Sequence, residues 1–247
     1  RTRRLPMLID SVIQSMPGVP DDIRTAVISR VAEIGTEGGG SKPAVGDDGY
    51  AETNQLIFLG SEELGPLATS LVEFCTRKGV KDFGKMKIPE VTKELSGSLP
   101  RSVDIAMFGR MTTSNAFEDV AAAVQVAHAI TTGKVDTEFD YYTAIDDLSG
   151  EAGAGMIGDV ELNSSTYYKY FNIHWEGLVE NLGGDKEVAA KAVLAFIEAA
   201  AVAQPSGKQN STAALNLPDF VLVEVSDKNL PVNYANAYLK PVVPQGD

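Results

Sequence analysis

Apolar side chains recur at three-to-four spacing through Ile23, Val27, Val31 and Ile34, which predicts a helix with one buried face ending near Gly35. Pro20 opens it, needing no amide partner in a first turn, and Asp21 and Asp22 oppose the positive end of the helix. A shorter apolar pattern covers residues 5–16. Residues 35–54 carry Gly38-Gly39-Gly40-Ser41, Pro43 and Gly46-Asp47-Asp48-Gly49, and so read as a mobile loop. Leu56-Ile57-Phe58-Leu59, bounded by Gly60, reads as a short buried strand. Ser61 is placed to cap the next helix, which has Glu62 and Glu63 in its first turn and Arg77 and Lys78 in its last. Leu64, Leu67, Ala68, Leu71, Val72 and Cys75 share one face of that helix, so Cys75 reads as a buried apolar group and not as a nucleophile.

The pattern changes in the second half. Val103, Ile105 and Met107 alternate with Asp104, Ala106 and Phe108, the period of a strand running into Gly109-Arg110-Met111. Val124, Val126, His128 and Ile130 alternate in the same way and predict a second strand, with a helix as the competing assignment. Two β-prone arms, Phe139–Leu148 and Asp159–Leu162, flank a glycine-rich tip, which makes residues 137–162 a protruding hairpin or loose arm. Residues 166–173 hold a strand rich in tyrosine and phenylalanine, whose rings are either packing or surfaces for stacked bases. Asp185 caps a long helix to about residue 203, apolar over most of its circumference and expected to pack on a sheet. Phe220–Val225 predicts the last strand.

In order this gives a helical block over residues 5–98, then strand, strand, arm, strand, helix, strand. The fold class is α+β, with a ferredoxin-like or RNA-recognition sheet in the second half and the first half as an inserted helical lobe. Composition agrees with a globular chain: 247 residues, 44% apolar. One cysteine forbids an internal disulfide and suits the cytoplasm. No charged-then-apolar leader opens the sequence, and Lys191 and Glu198 interrupt its longest apolar helix, so no membrane association is expected. The sequence starts at Arg1 and reads as a fragment of a longer polypeptide.

Charge changes the picture in two places. The net charge of −13 disfavours nonspecific attraction to phosphate backbones. Against that background Arg77, Lys78, Lys81, Lys85, Lys87 and Lys93 form a local basic run, which is either a solvated helix face or a phosphate contact.

Candidate catalytic chemistry is sparse. Gly153-Ala-Gly155-Met-Ile-Gly158 matches a dinucleotide-binding pattern by letter, but a strand-like segment follows where that motif needs a helix N-terminus. Asp136, Glu138, Asp140, Asp146 and Asp147 fail the calcium-loop spacing, because Tyr141 sits where a sharp turn needs glycine. His128, His174 and Cys75 make no zinc set, and no Ser–His–Asp order appears. No metal and no cofactor is expected, and the chain does not read as an enzyme.

Phe108-Gly-Arg-Met111 and Ala-Ala-Val-Gln-Val-Ala-His-Ala-Ile-Thr-Thr from Ala122 resemble the backbone subunit of the type I-E CRISPR Cascade complex, the CasC family of the RAMP superfamily. The resemblance continues through Lys134-Val-Asp136, Tyr-Tyr-Thr-Ala-Ile-Asp-Asp from Tyr141, Tyr-Lys-Tyr-Phe-Asn-Ile-His around Tyr170, Glu-Asn-Leu-Gly-Gly from Glu180 and Gly-Lys-Gln from Gly207. It implies a hand: helical fingers over residues 1–100, a palm over 101–136 and 163–247, and a hairpin thumb over 137–162. Copies line up head to tail on a CRISPR RNA (crRNA), beside other Cascade subunits, and the guide is presented to target DNA. Each thumb crosses the RNA of its neighbour and one base in every six is flipped out.

On this resemblance Met111 is the apolar wedge at the kink, Arg110 reaches a phosphate, and Thr113 and Ser114 follow in the same RNA-binding turn. Tyr142, Thr143 and Ile145 pack on the displaced nucleotide with Ile157 of the returning arm, Lys208 and Gln209 sit in a palm loop near RNA, and Lys81, Lys85, Lys87 and Lys93 face target DNA. An apolar wedge replaces lost base stacking, and contacts to backbone and base faces suit a subunit that must accept any guide. The family's opening palm strand and basic RNA-gripping segment have no counterpart here, so this stretch alone is expected to bind RNA poorly. The competing functions are a metal-dependent ribonuclease of related fold using Asp104 or the Asp136–Asp147 carboxylates, and a protein-interaction module without nucleic acid.

Overall fold

The computed structural model describes residues 2–34, 44–95, 101–112, 117–148 and 155–243. The chain divides into two units, Arg1–Val124 with Ile173–Glu224, and Gln125–Asn172 with Val225–Asp247.

The first unit is mainly helical. Helices α1 (Leu5–Ser15), α2 (Asp21–Val31) and α3 (Ser61–Lys78) pack on one another, followed by the short α4 (Val80–Phe83) and α5 (Ile88–Leu95). Leu5, Ile9 and Ile13 stand one turn apart on α1 and are fully or almost fully buried against Val27 and Val31 of α2 and Leu67, Leu71 and Cys75 of α3. Each such side chain contributes about 1.5–3 kcal/mol by leaving water. The periodicity of α2 and α3 and the burial of Cys75 are as the sequence predicts, and burial pushes the Cys75 thiol up from its ordinary value. The cap of α3 differs: Gly60 is the N-cap, and its N–H donates to Glu63 Oε2 at 2.9 Å. Residues 35–43 of the predicted mobile loop lie outside the described residues.

A buried polar knot ties the 44–53 segment down. Asp10, 1% exposed, accepts from Arg24 Nε (2.5 Å) and Nη2 (2.9 Å), Gln14 Nε2 (2.9 Å) and Tyr50 Oη (2.5 Å). Hydrogen bonding from Arg24 holds the Asp10 carboxyl below its ordinary range, and its own bond to Asp10 pushes the Tyr50 phenol up.

A second apolar cluster in the same unit joins α6 (Val103–Phe108), α7 (Trp175–Asn181) and α8 (Lys186–Val202). Ala106, Met107, Leu178, Ala189 and Ala192 are its buried members, with Ala123 and Val124. The α8 cap is as expected, Asp185 Oδ1 accepting from the N–H groups of Glu187 and Val188. Its packing surface is formed largely by helices α6 and α7, with Ile173 and Val124 at the ends of strands, and not by a sheet.

The strands are β1 (Val124–Val126), β2 (Ile130–Thr131), β3 (Glu138–Ala144), β4 (Met156–Leu162), β5 (Tyr167–Tyr168) and β6 (Phe171–Ile173). Among the described residues they form three two-stranded ladders, β1 with β6, β2 with β5 and β3 with β4, so the fold class is α+β as predicted. A short α9 (Gln209–Thr212) and a 3₁₀ turn over Tyr234–Tyr238 complete the elements.

Four predicted strands are corrected. Residues 103–108 are a helix: the apparent alternation rests on Asp104 alone, since Ala106 and Phe108 are apolar too, and Ile105, Ala106 and Met107 are all buried. Leu56–Leu59 contributes a single bridge, Ile57 with Thr2, and Leu56 is 63% exposed. The aromatic strand at 166–173 is split into β5 and β6 around Lys169 and Tyr170. Phe220–Val225 is not in a ladder among the described residues, and Phe220 and Val225 are 78% and 95% exposed.

Candidate nucleic-acid interface

Where α6 ends, the chain must turn sharply, and Gly109 provides the turn at φ 77°. A Cβ there would lie 2.7 Å from the Val120 carbonyl oxygen and 2.9 Å from the Ala122 nitrogen, so only glycine fits. Arg110 then pairs with Val120 through two backbone hydrogen bonds of 2.9 and 2.8 Å. Two residues further, the Thr112 N–H donates to Asp119 Oδ1 at 2.7 Å.

The Arg110 side chain points inward. Its Nη1 lies 2.8 and 3.0 Å from the two carboxylate oxygens of Glu63, and the paired side chains are only 4% and 1% exposed. Its Nε donates to the Glu118 carbonyl at 3.3 Å, and its guanidinium lies 5.4 Å from the Phe117 ring centroid. Sequence reasoning assigned Arg110 to a phosphate and saw Glu63 only as a first-turn carboxylate. The missed signal was legible: Glu63, Leu67, Leu71 and Cys75 stand four apart, so Glu63 lies on the buried stripe of α3 and requires a cation.

Next to this buried pair Met111 is 93% exposed. An unbranched apolar side chain thus stands in solvent on a base held by an ion pair, two backbone hydrogen bonds and a helix stop. A cavity of about 160 Å³ lies at its root, between residues 55–58 on one side and residues 110–112 with Phe117 on the other. Thr113 and Ser114 lie outside the described residues.

The β3–β4 hairpin belongs to the second unit. Its antiparallel register pairs Glu138 with Leu162 through to Ala144 with Met156, setting Tyr142 opposite Gly158 and Thr143 opposite Ile157. Side chains alternate across a ladder, so Tyr142 lies on one face while Thr143 and Ile157 share the other. The Tyr142 ring lies over Gly158: a Cβ on Gly158 would meet the phenol oxygen at 2.6 Å and ring carbons at 2.7 and 2.9 Å. Ile157 is 61% exposed, and Ile145, just past β3, is 69% exposed. Phe139 and Tyr141 add further exposed rings at 68% and 63%.

The remaining predicted site residues are dispersed. Lys81, Lys85, Lys87 and Lys93 are exposed along α4, α5 and the turn between them. Lys208 is exposed in a left-handed conformation, φ 56°, and its carbonyl accepts from the N–H and hydroxyl groups of Ser211 and Thr212. Gln209 Nε2 donates to the Pro205 and Ala214 carbonyls, closing the loop on itself. Among the described residues no three His, Cys, Asp or Glu side chains converge as metal ligands, and no helix is long and apolar enough to cross a membrane.

Comparison with known proteins follows the same direction as this geometry. A family model described as CT1975-like protein (Cas_CT1975) matches residues 1–247. A solved structure described as "CRISPR RNA-guided surveillance complex, pre-nicking" contains a chain that is similar at 28% identity and a TM-score of 0.73, covering 100% of this chain and 68% of that one. A chain of another, described as "CRISPR RNA-guided surveillance complex", is similar at 34% identity and a TM-score of 0.50, covering 59% of this chain and 56% of that one. A search of curated proteins returns no match.

Proposed function

Because this chain belongs to the CT1975-like protein family, we propose that it is a structural, non-catalytic RNA-binding subunit of a Cascade-type CRISPR surveillance complex. In this reading it is the type I-E backbone subunit, several copies of which line up on a crRNA beside other subunits and hold the guide for pairing with target DNA. The observation that carries the proposal is Met111, 93% exposed on a buried, ion-paired base. Exposed apolar side chains on rigid turns suit insertion between stacked bases, where they replace the lost stacking.

Roles follow from position. Met111 is the wedge, Arg110 positions it through Glu63, and Thr113 and Ser114 are further RNA contacts. Tyr142 on one hairpin face and Thr143 with Ile157 on the other serve nucleotides on two sides of the thumb, with Ile145 near its end. Lys208 offers a cation to the backbone and Gln209 shapes its loop. The exposed Lys81, Lys85, Lys87 and Lys93 supply target-DNA contacts, local positive charge in a chain of net charge −13.

The test is incubation of the full-length protein with crRNA and magnesium. Stoichiometric, length-proportional assembly on intact RNA is the expected result. Magnesium-dependent cleavage abolished by Asp104→Ala would overturn it in favour of a nuclease.

A further inference from the structure

Glu180-Asn181-Leu182-Gly183-Gly184 carries part of the family resemblance but has no part in the roles given above, and it closes α7. Gly183 and Gly184, at φ 68° and 92°, stop that helix and lead into the Asp185 cap of α8. Asn181 is the last residue of α7, and its side chain bonds outside its own helix. Nδ2 donates to the Ala106 carbonyl at 2.9 Å and to the Ala121 carbonyl at 2.8 Å, so both amide hydrogens are used.

These two carbonyls lie on the two legs of the turn that carries Met111. Ala106 is on the incoming leg, near the end of α6, where the last carbonyls have no partner within the helix. Three of them are satisfied from outside the regular helix: Ile105 O accepts from the Gly109 N–H at 2.9 Å, Met107 O from the Ala123 N–H at 3.0 Å, and Ala106 O from Asn181. Ala121 is on the outgoing leg, next to Val120, whose backbone pairs with Arg110. One donor atom is thus shared between the entry and the exit of the turn, and it sets their separation. Among short polar side chains a hydroxyl offers one hydrogen and a carboxylate none, so asparagine is the one that bridges both.

We propose that Asn181 is a positioning residue for Met111: it touches no nucleotide, and it holds the turn at the spacing at which the exposed Met111 side chain enters the RNA. The inference rests on the RNA-binding function proposed above and adds to it a residue from a different helix that acts through the wedge.

A double-mutant cycle tests it, with the full-length protein titrated with a crRNA. Asn181→Leu, close in shape but without donors, weakens binding roughly 2- to 30-fold, the range for residues that act on a site through others. In a Met111→Ala background the same substitution changes affinity less than about 2-fold, because the group it positions is gone. Asn181→Ser, short enough to admit water to both carbonyls, is read in the same cycle should Asn181→Leu not fold. Asp10→Asn loosens a separate hydrogen-bonded knot of the same unit and leaves RNA affinity unchanged, which separates positioning from lost stability. An equal loss with and without Met111 would overturn the inference, leaving Asn181 a structural clamp or a direct RNA contact. Wild-type affinity of Asn181→Leu, or failure of both Asn181 variants to fold, would overturn it too. Met111→Ala with wild-type affinity would overturn the wedge beneath it, and no assembly on any guide would overturn the subunit assignment itself.

Discussion

Replacing Arg110 by leucine separates a structural role from a direct RNA contact. The substitution leaves the Glu63 carboxylate, 1% exposed, without its cation, while one hydrogen bond from the Gly60 N–H remains. Removing one member of a buried pair costs about 3–5 kcal/mol, most of it the stranded charge. The contact with Phe117 adds about 0.5–1 kcal/mol. In a folding unit of this size each kcal/mol corresponds to about 2–4 °C, so Tm should fall by roughly 7–24 °C. Replacing Glu63 as well removes the stranded charge, and the double Leu variant should recover most of the loss, short of the roughly 1 kcal/mol lost with the Gly60 cap. Urea unfolding of the wild type, both single variants and the double variant closes the cycle. A single-variant cost under about 1 kcal/mol, or a double variant equal to the sum of the singles, would refute the claim that Arg110 is committed to Glu63.

Three further outcomes are expected. Met111→Asp should shift stability by no more than about 0.5 kcal/mol, since the side chain is 93% exposed, yet abolish RNA-dependent assembly seen by size exclusion; unchanged assembly would remove Met111 from the interface. Gly158→Val must push the Tyr142 ring off its strand and should weaken crRNA binding as much as Tyr142→Ala, about 1–3 kcal/mol, and wild-type affinity would show that the ring's seat on Gly158 is immaterial. Asp10 has a folded pKa below its ordinary 3.8 because of Arg24, so its stabilising effect is fully present above 3.8 and is lost as pH falls through the lower folded value. The stability gap between wild type and Asp10→Asn, read from urea melts at pH 7 and pH 3, should therefore narrow in acid; a constant gap would rule out the linkage.

Legibility in the sequence followed contrast. The stripes of α2, α3 and α8 combine apolar faces with charged or capping residues, and their periodicity identified them. The β3–β4 hairpin was readable because a glycine-rich tip separates its β-prone arms. Helix α6 was not: five of its six residues are apolar, so no period stands out, and its true markers were Ser102 before it and Gly109 after it. The strands expected at 56–59 and 220–225 show the opposite limit, because β-propensity describes a fit to a neighbouring strand that the segment itself does not encode. For the candidate site, the roles given to Met111 and the hairpin residues rest on resemblance to a family. The inward turn of Arg110 depended on a residue 47 positions away, and only the heptad-like placement of Glu63 on a buried stripe hinted at it.

Among the described residues the β3–β4 ladder has no third strand, so both of its edges expose unpaired backbone groups, between faces that carry Phe139, Tyr141, Met156 and Ile157. Such a ribbon is a template for unwanted strand addition. Glu138, Asp140, Asp159 and Glu161 interrupt it on both faces and act as gatekeepers against self-association. On the RNA-binding function proposed above, the same four carboxylates would repel phosphate and turn the bases of an approaching nucleic acid towards the ribbon, its backbone outward.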